Sequence, residues 1–437
     1  MSIVTANTNK VSISRMMARE ILDSRGKPTV ECSIYLSNGG AVVSSISTSN
    51  NSKNTDFFEL RDDDPDRMLG MGTKKVVEVL TTKIGPALIG QSPIDQEQID
   101  QILLTLDSTR NAATLGANSL MVASQTVLKA GALTYGWPPY YYLYKKYGLA
   151  PLLAVPTCIY GMVDGGRHGN DNLDFQEFQI IPANNFSFER SLEIAVSMFN
   201  RLGSLLKSKG AIRAVGPSGG FTPSLYKNTD AFDLLVETAK DINLNIGRDI
   251  FFGLDMDANS LHNMGKYKIK DQADSYSEKT WLEYVHNLNK IYGVYSFEDP
   301  FDENNTSAWQ SFTMSLGDKI RVIGDSLTRT NSELTSKAIK NKYCNTILLK
   351  TGQVKTISDM VAVVKLAREA NWQVVMSCRE GETNDDLIAD LAVGLGAEFT
   401  KFGPPNRGER IAKYNRLLQI SDELRRLQLA QNNGSSK

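Results

Sequence analysis

Ile250-Phe251-Phe252-Gly253-Leu254-Asp255 is an apolar run that ends on an acidic residue, and similar runs follow it along the chain. A run of roughly four to six apolar residues suits a strand buried on both faces, as in a parallel sheet covered by helices. The later runs span residues 294–299, 320–325, 347–350, 374–379 and 397–401. Between the runs lie amphipathic stretches that fit helices, at residues 231–242, 279–291, 357–370 and 385–395. This alternation of strand and helix predicts an α/β barrel.

Charged residues end most of these runs, at the place where an α/β barrel carries its active site. They comprise three carboxylates, two lysines and an arginine: Asp255, Glu298, Asp325, Lys350, Lys401 and Arg379. Together they match a hard divalent cation, an anionic substrate and a basic catalyst.

Composition limits the classes of protein that fit. The chain has 437 residues, of which 41% are hydrophobic, enough for two domains with cores of their own. A net charge of −1 gives no overall field that attracts nucleic acid or an anionic membrane. Residues 1–10 are polar, and no apolar stretch reaches membrane-spanning length. We therefore expect a cytoplasmic protein with neither nucleic acid nor a membrane as a partner.

Cysteine and histidine usage argues against two kinds of site. The four cysteines are widely spaced and form no C-x-x-C pair, which favours reduced thiols over a disulfide framework or a zinc site. Only three histidines occur in the chain, so a centre built from several histidine ligands is not expected.

The first part of the chain has a different pattern. Alternating strand residues at 30–36 and 41–44 give way to helical stretches at 73–84 and 115–135. We predict a smaller α+β domain over residues 1–142 and a barrel domain over residues 143–437. The polar segment 48–55 and the Gly- and Asn-rich segment 165–172 are predicted to be lids over the pocket.

Seven short segments carry a specific resemblance. They lie at residues 23–31, 59–62, 115–119, 176–178, 296–299, 381–383 and 412–415. The first reads Asp-Ser-Arg-Gly-Lys-Pro-Thr-Val-Glu. In this order the segments resemble the enolase family, whose glycolytic activity is that of phosphopyruvate hydratase, over about residues 11 to 428. The resemblance implies an enolase-type α/β barrel preceded by a smaller N-terminal α+β domain.

The resemblance also implies Mg²⁺ as the cofactor. Asp255, Glu298 and Asp325 are similar in position to the family's metal-binding carboxylates, and oxygen ligands suit a hard cation. For a single acid the simpler interpretation is a helix cap. Three acids at successive strand ends favour the metal site instead.

Two lysines and three other residues are implied in catalysis and substrate binding. Lys350 corresponds to the general base that takes the proton beside the substrate carboxylate, a pattern known for enolase-superfamily sites. Lys401 corresponds to a second lysine that contacts the substrate. His168, Gln176 and Glu177 match the lid histidine and its neighbouring substrate contacts. The simpler alternative for each lysine is a solvated surface side chain, and for His168 and Glu177 it is an ordinary polar loop residue.

One departure from the family affects the chemical step. Where the family reads Val-Gly-Asp-Glu-Gly-Gly, residues 215–220 read Val-Gly-Pro-Ser-Gly-Gly. Ser218 thus replaces the acid that assists departure of the hydroxide. General acid–base assistance is worth roughly 10²- to 10⁴-fold, and a serine hydroxyl cannot supply it as a carboxylic acid does.

A second departure affects substrate binding. The family's Ser-His-Arg-Ser-Gly-Glu-Thr becomes residues 377–383, Ser-Cys-Arg-Glu-Gly-Glu-Thr. Arg379 is kept as a phosphate contact, Cys378 replaces a histidine, and Glu380 places a carboxylate where phosphate oxygens belong. Two like charges about 4 Å apart repel by about 4 kcal/mol at an effective dielectric constant near 20, so phosphate binding is predicted to be weak.

The lid and the dimer contact depart as well. The family's Ser-Gly-Ala-Ser-Thr-Gly lid becomes Thr48-Ser49-Asn50-Asn51-Ser52-Lys53, without glycine hinges. Thr48 still offers a hydroxyl to a second Mg²⁺. Glu31 is kept where the family has an intersubunit ion-pair carboxylate, but Gln419 replaces its arginine partner. Since exposed ion pairs contribute little, we still expect a homodimer, or a heterodimer with an active paralogue.

Three functions are consistent with these residues. The first is an enolase-fold pseudoenzyme, with severely impaired or no activity and a structural or regulatory role. The second is an active hydro-lyase that converts 2-phosphoglycerate, a small anionic substrate, to phosphoenolpyruvate in glycolysis. The third is a lyase or isomerase acting on an unphosphorylated carboxylic acid. The losses at Ser218, Cys378, Glu380 and the lid favour the first.

Overall fold

The computed structural model of the protein describes residues 11–47, 56–152, 154–169 and 173–434. The N-terminal part is an antiparallel sheet covered by helices. Its strands are β1 (Ile13–Leu22), β2 (Pro28–Leu36) and β3 (Ala41–Ser45), in that order. Its helices are α1 (Lys74–Val79), α2 (Gly85–Leu88), α3 (Gln96–Leu106), α4 (Ala117–Tyr135) and α5 (Pro139–Tyr147), with a π-helical turn at Leu80–Ile84 and a 3₁₀ turn at Met68–Gly70.

Helix α4 is the centre of this N-terminal part and is buried along most of its length. Glycines flank it at both ends: Gly116 has a φ angle of 84° and Gly136 a φ angle of 67°. Both angles are strained for residues with a side chain. It packs against β2 and β3. The strands and helices predicted for this region from the sequence are confirmed.

The rest of the chain forms a nine-stranded sheet, rolled into a nearly closed barrel, and a small three-stranded sheet. The barrel strands are β4 (Thr157–Cys158), β5 (Tyr160–Asp164), β6 (Glu177–Pro182), β7 (Ile250–Asp255), β11 (Val294–Glu298), β12 (Arg321–Gly324), β13 (Thr346–Leu349), β14 (Gln373–Ser377) and β15 (Phe399–Lys401). The small sheet contains β8 (His262–Asn263), β9 (Lys266–Tyr267) and β10 (Tyr276–Ser277). The predicted α/β barrel with an N-terminal α+β domain is confirmed; the boundary at residue 142 stays a prediction.

Helices cover the outside of the barrel. They are α6 (Phe188–Ser208), α7 (Asn228–Asp241), α8 (Ala258–Leu261), α9 (Glu278–Tyr292), α10 (Thr306–Leu316), α11 (Ser332–Asn341), α12 (Ile357–Glu369), α13 (Leu387–Gly394) and α14 (Gly408–Gly434), with 3₁₀ turns at Gly166–His168 and Thr351–Gln353. Among the described residues, none of the helices is long and apolar enough to cross a membrane.

The barrel strands are apolar on both faces because each face meets a core. One small cluster fills the barrel interior and consists of Ile159, Ile181, Ile323, Leu348, Val375 and Phe399. The residues beside them, such as Ile347 and Leu349, belong instead to the large core that includes the helices. Alternation of side chains along each strand divides the apolar runs between these two cores.

Strand β6 is the exception to the parallel pattern expected from the sequence. It runs antiparallel to both β5 and β7, whereas β7 and β11 to β15 form a parallel series. Among the described residues between β5 and β6 there is no helix of crossover length, and two helices, α6 and α7, separate β6 from β7. A parallel connection needs a single crossover, so these two connections reverse the chain direction.

The direction of β6 decides which residues meet at the rim. Its first residue, Glu177, is paired with Asp255, the last residue of β7, and with Asp164, the last residue of β5. The start of β6 therefore lies beside the carboxyl ends of its neighbours. The barrel closes between β15 and the segment of β4 and β5, where the Ile159 amide between those two strands donates to the Thr400 carbonyl of β15 at 2.7 Å.

Asp100 of α3 links the N-terminal part to the barrel. Its carboxylate accepts hydrogen bonds from Gln96 Nε2 at 3.0 Å and Ser124 Oγ at 2.6 Å. It also accepts bonds from the amide, at 2.9 Å, and the hydroxyl, at 2.6 Å, of Ser358 near the start of α12. Burial raises the pKa of Asp100, with these donors opposing the shift.

We predict that Asp100→Ala lowers the free energy of unfolding by about 2–4 kcal/mol, because it leaves several buried donors without an acceptor. Denaturant unfolding monitored by circular dichroism measures the change. Asp318→Ala removes an exposed carboxylate and is the matched control, with an expected effect within about 0.5 kcal/mol. Equal unfolding curves for the two variants would contradict the prediction.

Candidate functional site

A cavity of about 230 Å³ opens at the rim where the parallel strands end. Most of the residues predicted for the site line it: His168, Gln176, Glu177, Ser218, Asp255, Asp325, Lys350, Cys378, Arg379, Glu380 and Lys401. Glu298 contacts Lys401 at the edge of this lining. Thr48 and the lid segment 48–55 lie outside the described residues, as do residues 170–172 of the second predicted lid. The roles assigned to these residues stay predictions.

Lys401, at the end of β15, is surrounded by three carboxylates. Its Nζ lies 2.7 Å from Asp255 Oδ2, 2.7 Å from Glu298 Oε2 and 3.3 Å from Glu177 Oε2. Burial alone lowers the pKa of Lys401, but these carboxylates hold it well above its usual value. One buried ammonium therefore joins the ends of β15, β7 and β11 to the start of β6.

Lys350 forms the second ion pair of the rim. It follows β13, and its Nζ donates to Asp325 Oδ2, which follows β12. The backbone amide of Lys350 donates to Thr330 Oγ1 at 3.1 Å, which positions the residue at the strand end. Burial raises the pKa of Asp325, but Lys350, with Lys401 and Arg379, outweighs burial and the resulting pKa lies below the usual value. The predicted base and a predicted metal ligand thus contact each other directly.

The acids of this rim are not fully neutralised by the two lysines. Burial, followed by repulsion from Asp255, raises the pKa of Glu298 well above its usual value. Burial and then Asp325 raise the pKa of Asp299 to about 8. Asp299 accepts hydrogen bonds from the amides of Asp325 at 3.0 Å and Ser326 at 2.8 Å. The site therefore has a local surplus of carboxylates, which favours an added cation.

The donors suit a hard cation in chemistry but are not preassembled around one. Within the described part of the chain, no group of three or more His, Cys, Asp or Glu side chains is arranged to hold a metal ion. Asp255 and Glu298 instead contact Lys401, and Asp325 contacts Lys350. A divalent cation can bind these oxygens only if the carboxylates contact the cation and the two lysine ammonium groups together, or exchange one for the other.

Ser218, at the position of the missing acid, contacts the predicted lid histidine. Its Oγ lies 2.9 Å from His168 Nδ1, and the same nitrogen lies 3.3 Å from Glu177 Oε1. Burial lowers the pKa of His168, but Glu177, Asp164 and Glu380 together outweigh burial and the resulting pKa is raised. The Ser218 side chain is therefore part of a hydrogen-bonded group that lies inside the pocket.

Glu380 has a cationic partner that the sequence alone did not indicate. Arg25 Nη1, from the loop between β1 and β2, donates to Glu380 Oε2 at 2.9 Å, and Arg25 also binds Asp23. Arg410 of α14 donates to the backbone carbonyl of Glu380 at 3.0 Å. Burial raises the pKa of the neighbouring Cys378 thiol to about 12. Arg25 therefore compensates part of the charge that was predicted to repel phosphate.

Some lining residues received no site role from the sequence, among them Asp299 and Arg410. Asp299 directly follows Glu298 at the end of an apolar run, and that position was a usable signal. Burial raises the pKa of Asp257 to about 6, and Arg167 pairs with it at 3.0 Å. Arg410 had no signal, because only the packing of α14 against the barrel brings it to the rim.

Comparison with known proteins identifies the class to which this barrel and its charged rim belong. Residues 152–436 match the family model described as "Enolase, C-terminal TIM barrel domain", and residues 13–143 match "Enolase, N-terminal domain". The chain is 38% identical over 410 residues to "Enolase" of Ehrlichia ruminantium, which is 94% of this chain and 96% of that protein. The same values hold for "Enolase" of Legionella pneumophila. The chain belongs to the enolase family.

We predict that Glu380→Ser tightens the binding of phosphoglycolate, a small phosphorylated acid, by about tenfold. Removal of the carboxylate removes repulsion, and the gain stays below the full ~4 kcal/mol of an unscreened pair because Arg25 already compensates part of the charge. Isothermal titration calorimetry measures the affinity. Glu369→Ser, which removes an exposed acid from the end of α12, is the control. Equal affinities for both variants would refute the repulsion argument.

Proposed function

We propose that this enolase-family protein binds Mg²⁺ and a small anionic substrate resembling 2-phosphoglycerate, with severely impaired or no dehydration activity. Its role in the cell would then be structural or regulatory. The observation that supports this proposal is the position of Ser218. Its hydroxyl lies among the pocket residues, in hydrogen-bonding distance of His168, and it has no acidic proton for a leaving hydroxide.

The size of the expected defect follows from general acid catalysis. Loss of such assistance lowers turnover by roughly 10²- to 10⁴-fold. Glu380 and Cys378 alter the part of the pocket that corresponds to the phosphate site, and these changes act on binding rather than on the chemical step.

An active phosphopyruvate hydratase is the alternative supported by the retained residues. Lys350 and Lys401 occupy the strand ends expected for the base and the substrate contact, and both line the pocket. Arg379 is retained beside Glu380. These groups provide a base and positive charges that complement a carboxylate substrate. A competent acid elsewhere in the pocket would then restore the reaction.

A lyase or isomerase acting on an unphosphorylated carboxylic acid is a further candidate. The Arg25–Glu380 ion pair supports it, because a paired carboxylate accepts hydrogen bonds from a hydroxyl group more readily than it tolerates phosphate. This candidate uses Lys350 as the base and needs no phosphate contact.

Mg²⁺ is proposed at Asp255, Glu298 and Asp325, with Thr48 as a ligand of a second ion. The cation would stabilise the negative charge that develops on the substrate carboxylate. The surplus of buried carboxylates at the rim supports this assignment. We further propose a cytoplasmic homodimer, or a heterodimer with an active paralogue. Glu31, the expected intersubunit carboxylate, is paired within its own chain with Arg19 at 2.6 Å.

We predict that the purified protein forms phosphoenolpyruvate from 2-phosphoglycerate and Mg²⁺ at least about a thousandfold more slowly than a competent enolase, because the acid is absent. The Lys350→Ala protein, purified in the same way, measures any contribution from host enolase. Near-normal turnover that disappears in Lys350→Ala would refute the impaired-enzyme proposal and favour the active hydratase.

We predict that Mg²⁺ binds the metal-free protein and that Asp325→Ala binds it at least about tenfold more weakly, because one of three carboxylate ligands is lost. Isothermal titration calorimetry measures both affinities. Asp318→Ala, an exposed acid of similar size, is the control and is expected to bind like the parent protein. Equal heats for the parent protein and Asp325→Ala would exclude the proposed metal site.

A further inference from the structure

The contacts of His168 determine which of its ring nitrogens carries a proton. Ser218 Oγ and Glu177 Oε1 both lie near Nδ1, at 2.9 and 3.3 Å. An ionised carboxylate only accepts hydrogen bonds, so an unprotonated Nδ1 would face it lone pair to lone pair. Nδ1 therefore carries the proton and shares it between the two oxygens. The second proton of the imidazolium is gained and lost at Nε2.

Tight packing of two loops keeps this arrangement in place. A Cβ atom on Gly216 would lie 2.3 Å from the carbonyl oxygen of His168 and 2.6 Å from Asp164 Oδ2. The amide of Gly220 donates to Asp164 Oδ2 at 3.0 Å. The loop that carries Ser218 lies so close to the turn that carries His168 that only glycine fits at position 216.

The other nitrogen of His168, Nε2, is not engaged by the described residues, while the residue itself lines the pocket. Among the described residues no group makes a hydrogen bond to Nε2, and the side chain is 16% exposed. His168 lines the same cavity as Lys350 and Lys401. A substrate in that cavity can therefore meet Lys350 and His168 at the same time.

The charges around His168 favour its protonated form. Glu177 contacts it, and Asp164 and Glu380 add negative charge nearby. Lys401 opposes this effect from the far side of Glu177, at 3.3 Å from that carboxylate, and Arg410 also lies near Glu177. The neighbouring Arg167 is paired with Asp257. Burial opposes the charged form most strongly, but Glu177 and the further negative charges together outweigh it, so the imidazolium is stabilised.

We propose that His168, held through Nδ1 by Ser218 and Glu177, donates the proton to the departing hydroxyl group in place of the acid missing at position 218. This inference rests on the proposed function, in which Ser218 supplies no acid and dehydration is slow: His168 supports the residual rate and does not restore the rate that a carboxylic acid at position 218 would give. His168 is then a catalytic residue, and Ser218 is a positioning residue that acts through it.

The proton steps balance within the site. Lys350 takes the proton from the carbon beside the substrate carboxylate. The bond from the neighbouring carbon to the hydroxyl oxygen then breaks, and its electron pair goes to that oxygen. His168 passes its Nε2 proton to the same oxygen, which leaves as water while a carbon–carbon double bond forms. Lys350 has gained a proton and His168 has lost one, and exchange with solvent restores both.

The test separates proton removal from water loss. 2-Phosphoglycerate is incubated with the Mg²⁺-loaded full-length protein in D₂O. Deuterium incorporation beside the carboxylate reports the Lys350 step, and phosphoenolpyruvate formation reports the whole reaction. We expect His168→Gln to lower phosphoenolpyruvate formation at least about 100-fold while deuterium incorporation stays within about threefold of the parent protein. His286→Gln, on α9, is the matched control and is expected to change neither rate.

The role of Ser218 is tested by ¹⁵N NMR of the imidazole rings, which is practical because the chain has only three histidines. We expect His168 to be protonated at Nδ1 in its neutral form. Ser218→Ala removes one acceptor and lowers the titration midpoint of His168, whereas Ser218→Thr keeps the hydroxyl and the midpoint. An unchanged midpoint in Ser218→Ala would overturn the positioning role.

The remaining outcomes distinguish this inference from the proposed function. Equal losses of deuterium incorporation and phosphoenolpyruvate in His168→Gln would show a structural role and overturn the inference. A parent protein without any Lys350-dependent reaction would also overturn it, while the proposed function would stand. A near-normal parent rate would overturn the proposed function, and His168→Gln would still decide the inference.

Discussion

The ammonium group of Lys401 is the interaction on which the rim of this barrel depends. It lies between three buried carboxylates from three different strands, and none of these acids has another ammonium within contact distance among the described residues. Burial of one such carboxylate without a cation costs several kcal/mol by order of magnitude. The same lysine therefore stabilises the fold at the rim and holds the ends of these strands together beneath the pocket.

The pocket wall is also the surface on which the N-terminal part is held. The Ser24 amide donates a hydrogen bond to the Glu382 carbonyl at 2.8 Å, and Arg25 forms an ion pair with Glu380. Asp385 accepts hydrogen bonds from Ser44 at 2.7 Å and from Lys129 at 2.8 Å. The segment that departs from the family between residues 378 and 380 thus belongs to an interdomain contact as well as to the pocket. A substitution there changes binding and domain attachment together.

Both major substitutions have acquired partners, so the pocket has not simply lost its contacts. Ser218 is bonded to His168, and Glu380 is bonded to Arg25. The pocket is therefore better described as rearranged than as collapsed. This description is compatible with weak catalysis as well as with a binding role.

The sequence by itself determined the barrel, its approximate strand ends, the family and most of the residues that line the pocket. These follow from local signals, because a doubly buried strand needs a continuous apolar run and the rim residue comes directly after it. Only the tertiary structure decided the reversed direction of β6, the pairing of Glu380 with Arg25, the approach of Arg410 and the contact between Ser218 and His168. Each of these depends on groups distant in sequence, or on chain reversal, and no pattern along a single strand or helix encodes such contacts.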